Sequence, residues 1–264
     1  QDYVKGVIAY IKKTHKDERD KDVSENTIRI YLRSYRAIYN YAIDEGKVSG
    51  CNPFSNIQGQ SLSSIGRGKD ALTEEELKTL IDYEPTNAKE HMGRDFFILT
   101  LQLCGTNLGD ILSFKNKNIS GDTISFIRRK PRRSGIVTTL DLTEVAVALL
   151  NKYGRINADR PDDYILPYLA NVTTDKAINN KIHDVLSDVN GGLESICNAT
   201  GMDKFTTYNA RHTYASRAQS SGMTAEQIQK FLGHTTSRTT QTYLHSITQS
   251  VREKNKGVLD DMLK

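Results

Sequence analysis

Three short segments near the C-terminus carry side chains able to do chemistry. They are Ala210-Arg211-His212-Thr213-Tyr214, Phe231-Leu232-Gly233-His234 and Thr239-Thr240-Gln241-Thr242-Tyr243. His234 follows Arg211 by 23 positions, and Tyr243 follows His234 by 9. Arg211 offers a planar, permanently charged fork suited to two oxygens of an anion. His234 can donate to one such oxygen as well. A phenol of pKa about 10 is unreactive until its proton leaves, and nearby cations favour the phenolate, so Tyr243 is a candidate nucleophile. Taken singly, each residue has a plainer reading. A helical tyrosine packs or lies at the surface, an arginine forms a structural ion pair, and a histidine after glycine caps a helix. Tyr214 is the rival tyrosine, but it stands three residues after Arg211 on the same helix and reads as packing.

The conjunction resembles the catalytic signature of the tyrosine recombinase (phage integrase) family, which runs HxxRH, then LGH, then the tyrosine. That resemblance implies transesterification of a DNA phosphodiester. The phenol oxygen attacks, the ribose oxygen departs, and donors aimed at the non-bridging oxygens lower the barrier. The covalent phosphotyrosine keeps the energy of the broken bond, so the resemblance implies neither ATP, nor a metal, nor any other cofactor. His212, beside Arg211, is taken as a DNA contact. The resemblance also gives a role to the basic run Arg128, Arg129, Lys130, Arg132 and Arg133, which on composition alone is equally a solvated charge run. In the family, a lysine on a hairpin enters the minor groove and protonates the leaving 5′-oxygen. Lys130 fits by its place in ISFIRRK, with Arg128, Arg129, Arg132 and Arg133 expected on DNA.

Two positions depart from the pattern. Where the family carries an arginine in a Gly-Leu-Arg-x-x-Glu type of motif, this chain has Gly105-Thr106-Asn107-Leu108-Gly109-Asp110, so Asn107 takes that place and a cation is missing. Tyr208 stands where HxxR begins with histidine; it can donate a hydrogen bond but is a poor base near neutral pH. Both features resemble integrases of conjugative and mobilisable elements. Arg94 or Arg129 is the expected source of the missing charge.

These residues need elements to hold them. Ser24 to Gly46 reads as one amphipathic helix, with Ile28, Tyr31, Leu32, Tyr35, Ile38, Tyr39 and Ala42 on a buried face. Arg29, Arg33 and Arg36 form a stripe on the other side that either follows phosphates or is a solvated face. Residues 59–70 are rich in Gly and Ser and read as a linker. Thr73 with Glu76 makes a capping box, and Leu72 with Leu77 the hydrophobic staple beside it. An apolar stretch runs from Phe96 to Cys104, and a short helical pattern follows through Leu108, Ile111 and Leu112. Thr123 to Arg129 and Ile136 to Leu140 read as an antiparallel hairpin. Helices are expected at Glu144 to Tyr153, Asp175 to Val189, Asn209 to Ser221, Thr224 to Leu232 and Arg238 to Ser250. An amphipathic tail with Val258, Leu259, Met262 and Leu263 closes the chain. The expected fold is mainly α (α+β): a small helical core-binding domain at 1–58, the linker, and a mainly helical catalytic domain with a small antiparallel sheet at 71–264.

Composition agrees. With 37% hydrophobic and 26% charged residues the chain is globular, and no apolar run approaches the roughly 20 residues a membrane span needs. A net charge of +4 suits a polyanion. Cys51, Cys104 and Cys197 are odd in number, far apart and outside any CxxC pair, so they read as buried apolar residues rather than disulfides or metal ligands. The chain starts at Gln1, and the resemblance leads us to expect an upstream segment carrying the first helices of the core-binding domain. The expectation is a cytoplasmic recombinase clamping double-stranded DNA between its domains, four protomers acting together through the tail. The alternatives are a catalytically weakened DNA-binding protein on the same scaffold and a type IB topoisomerase-like enzyme.

Overall fold

A computed structural model describes residues 2–15, 23–55, 71–129, 135 and 137–233. The chain forms two compact units, Gln1–Arg67 and Gly68–Lys264. In the first unit, α1 (Asp2–Thr14) pairs with α2 (Glu25–Asp44), whose start is fixed by the Ser24 hydroxyl accepting the Thr27 N–H. Ile28 and Leu32 are fully buried with Val4, Ile11 and Phe54. The apolar face of α2 is only half used. Tyr35 and Ile38, expected inside, are 44% and 65% exposed, because α1, Asn52 and Phe54 cover only part of the helix among the described residues. Tyr35 merely stacks on Phe54 at 5.7 Å between centroids.

The second unit is built on α4 (Ala88–Gln102) and α7 (Asp175–Thr200). The two come so close that a Cβ on Gly192 would collide with the Lys89 carbonyl. This close approach gives Gly192 a packing role inside α7, whereas Gly191 faces open space; the helix runs on through both to Thr200, past the expected end at Val189. Similarly, α4 begins well before Phe96. Its polar first turns are buried through specific partners: Glu90 accepts from Thr86, Tyr83 and Ser195, and Asp95 accepts from Lys152 and Tyr153. Phe96, Leu99, Leu103, Ile111 and Leu112 form the centre of the main core.

Before α4, α3 (Glu74–Asp82) carries the expected Thr73–Glu76 capping box, and Leu72 and Leu77 are buried in one cluster. The sheet has three antiparallel strands in the order β1 (Ile119–Ser120), β2 (Thr123–Ile127), β3 (Val137–Asp141). Ile124, Phe126 and Leu140 point inward. The expected hairpin is there but shorter, and β1 was not anticipated because two residues leave no period to read. Then come α6 (Glu144–Tyr153), α8 (Thr207–Ser220) and α9 (Ala225–Leu232). Thr213 joins α8 to the start of the unit by accepting the Leu72 N–H at 2.9 Å. The cysteine reading needs correction: Cys197 is buried, Cys104 partly so, and Cys51, in the segment after α2, is exposed. No described helix is long and apolar enough to cross a membrane.

Candidate active site

Arg211 sits on α8 at 3% exposure. Its Nη1 donates to the Gly105 carbonyl at 2.8 Å and its Nη2 to the Leu232 carbonyl at 2.6 Å. Two glycines make this possible. Gly105 has φ +70, and a Cβ there would stand 2.8 Å from the Arg211 Cα. Gly233, with φ +60, ends α9 in the left-handed conformation that stops helices cleanly. A Cβ on it would lie 2.5 Å from the Arg128 Cδ.

Arg128 is the second side chain at this point. It follows β2, and its Nη1 donates to Leu232 O at 2.7 Å and to Gly233 O at 3.0 Å. Both guanidinium groups thus share the Leu232 carbonyl, at the partially negative C-terminal end of α9. Asp110, 5% exposed, fixes the other edge of Arg128, its Oδ2 lying 3.4 Å from Nε, while its Oδ1 accepts the Arg129 N–H at 2.8 Å. Arg129 reaches away to Asn179 at 3.0 Å and to Ser113 at 3.4 Å.

A cleft of about 190 Å³ opens beside Arg211, lined also by Asn107 and Tyr208. Three of the residues singled out in the sequence therefore meet there. Asn107 has a structural task. α5 (Leu108–Ile111) starts on it, and its Oδ1 accepts the Gly109 N–H at 3.0 Å. The cap signal, an Asn before a short apolar pattern, was available in the sequence. Tyr208 is half exposed, with its ring edge-on to His212 at 5.0 Å between centroids. Tyr214 behaves as packing: burial, and then a hydrogen bond with Cys104, push its phenol above the usual range, which disfavours a phenolate.

Arg94 stands elsewhere. Its Nη1 donates to the Tyr83 carbonyl at 2.6 Å and its Nε lies 3.4 Å from Asp95; like Arg128 and Arg129, it is not among the residues lining the cleft. On α2, Arg29 is partly buried, whereas Arg33 and Arg36 are exposed. Lys130, Arg132, Arg133, His234, Tyr243, the linker and the tail lie outside the described residues. Sequence reasoning missed Asp110 and the Leu232 carbonyl, the groups that aim the two arginines. Among the described residues no cluster of His, Cys, Asp and Glu is placed to hold a metal ion.

Residues 70–250 match the phage integrase family, and residues 1–58 match the phage integrase SAM-like domain. The chain belongs to the phage integrase family. It is similar to tyrosine recombinase XerC of Caldanaerobacter subterraneus, 28% identical over 231 residues, which covers 86% of this chain and 62% of that protein. It is also similar to the integrase of Escherichia phage 186, 22% identical over 233 residues, covering 87% of this chain and 59% of that protein. The chain thus spans less than two thirds of either relative's length. In fold it resembles the Tn1549 transposon integrase solved with transposon right end DNA, with a TM-score of 0.69 at 15% identity, covering 96% of this chain and 84% of that one. At that identity the likeness is one of fold: a mostly helical tyrosine recombinase with a small antiparallel sheet.

Proposed function

We propose that this phage integrase family member is a site-specific recombinase that cleaves and rejoins double-stranded DNA through a 3′-phosphotyrosine. The observation carrying this reading is the buried Arg211 fork, held by two carbonyls beside a cleft lined by Asn107 and Tyr208. A guanidinium fixed in advance stabilises charge gathering on phosphoryl oxygens without reorganising during the reaction. Tyr243 attacks the phosphorus, its proton leaves, and the bond to the 5′-oxygen breaks. Lys130 protonates that oxygen as general acid, and His234 and Tyr208 donate to the phosphoryl group. Rejoining runs the same steps in reverse, with a 5′-hydroxyl attacking the phosphotyrosine, so no nucleotide is consumed.

Residues 1–58 act as the core-binding domain in this reading, 59–70 as the linker and 71–264 as the catalytic domain. Arg29, Arg33, Arg36, Arg132, Arg133 and His212 contact DNA. Four protomers assemble on it, with the apolar face of Val258, Leu259, Met262 and Leu263 docking on the neighbouring protomer, and the enzyme works in the cytoplasm. One observation favours the weakened binder as a second reading. Asn107 is occupied as a helix cap, so no cation stands where the family signature has one.

Covalent trapping separates the two readings. Duplexes selected for binding from a random pool, then nicked beside the cleavage point, should capture the wild type as an adduct, and Tyr243→Phe should abolish it with affinity nearly unchanged. An adduct that persists in that variant, or maps to Tyr214, would sink the assignment; a bound but never trapped wild type would favour the binder.

A further inference from the structure

The phosphoryl group has two non-bridging oxygens, whereas the residue at 107 brings no charge to them. We infer that Arg128, from the end of the β2 strand, supplies the second guanidinium at the scissile phosphate; this rests on the recombinase reading above. Three cations compete for the role, and their partners decide between them. Arg94 is spent on the Tyr83 carbonyl and Asp95, neither of which is a partner of Arg211 or of the end of α9 among the described contacts. Arg129 turns toward Ser113 and Asn179. Arg128 alone shares an acceptor with Arg211, the Leu232 carbonyl, so the two forks converge on one point.

The way Arg128 is held suits an anion receptor. Nη1 takes the two carbonyls that end α9, and Asp110 takes the Nε side. Nη2 donates to nothing among the described residues, and on this inference that edge of the fork takes the phosphate oxygen. The side chain is 15% exposed, so solvent screens that edge little, and a phosphate oxygen there would meet a charge already aimed. Asp110 is thereby a positioning residue, orienting Arg128 without occupying that edge. Gly233 belongs to the same device, since any Cβ there would push Arg128 aside.

The test compares two nicked duplexes alike in sequence, one with an ordinary scissile phosphate and one with an uncharged methylphosphonate there. Arg128→Gln should slow cleavage of the phosphate duplex on the order of a hundredfold, the scale for one transition-state donor, and slow the phosphonate duplex far less. The ratio of the two rates should therefore shrink by at least about tenfold relative to wild type. Both rates come from one protein sample, so the ratio does not depend on how much of the variant is folded. Arg128→Lys, which keeps the charge and loses the fork, should lie between. A ratio equal to wild type in Arg128→Gln would mean that Arg128 only holds the end of α9, and would overturn the inference. Loss of the recombinase reading looks different: the wild type itself would give no Tyr243 adduct on the phosphate duplex, and the inference would fall with it.

Discussion

The chain carries two sets of arginines that differ in almost everything except residue type. Arg33 and Arg36 on α2 are exposed, one helical turn apart, and no side-chain partner fixes their guanidinium groups among the described residues. Arg128 and Arg211 are mostly buried and bound to backbone carbonyls at the end of α9. Exposed, mobile cations attract a polyanion over a wide area and release its counterions, which gives affinity but no particular geometry. Buried, fixed ones cannot follow a moving ligand, but they can meet charge at one point as it develops. On the proposed reading the same residue type would serve binding in one unit and chemistry in the other, with burial separating the two roles.

That contrast can be broken most sharply at Arg211. Arg211→Lys keeps the charge but cannot bridge Gly105 and Leu232 with a planar fork, so trapping on a nicked duplex should slow on the order of a hundredfold or more, with duplex affinity changed by less than about threefold. A variant that cleaves like wild type would erase the distinction between fixed and free cations. At the exposed set the expected effect is smaller and of another kind. Arg33→Ala should leave cleavage at saturating DNA unchanged and flatten the dependence of log affinity on log salt by about one unit, as titrations at several salt concentrations would register. Equal slopes would return the α2 stripe to a solvated face.

The smallest effect is expected at Asn107, whose side chain caps α5. Asn107→Ala should lower stability by about 1 kcal/mol in denaturant titration, the usual cost of a lost N-cap, while Asn107→Asp, which also caps, should not. A large loss of cleavage in Asn107→Ala with no loss of stability would give Asn107 a direct part in the chemistry instead.

Much of the scaffold was legible because its signals are local. The Thr73–Glu76 capping box, the start of α2 at Ser24 and the β-branched runs that become β2 and β3 each depend on residues within a few positions of one another. Elements were misjudged where burial is achieved by partners far along the chain. The polar first turns of α4 are inside because Ser195 and Lys152 meet Glu90 and Asp95, and within α7 Gly192 is where α4 needs the room. Conversely, Tyr35 and Ile38 have the right period for a buried face and stay exposed, since periodicity tells which side of a helix is apolar but not whether anything covers it.

The candidate site divides in the same way. Residue types in order and spacing were enough to single out Arg211, His234 and Tyr243, and to mark Asn107 as lacking a charge, because the chemistry of phosphoryl transfer restricts which side chains can serve. Only the tertiary structure gave grounds to propose which arginine makes up for it. Arg94 and Arg129 are as basic as Arg128, and their sequence neighbours do not separate them. The choice depends on one carbonyl at the end of α9, which accepts from Arg128 and Arg211 together. A backbone carbonyl has no side-chain identity, so its direction is set by the packing of α8, α9 and the sheet rather than by any residue that could be read along the chain.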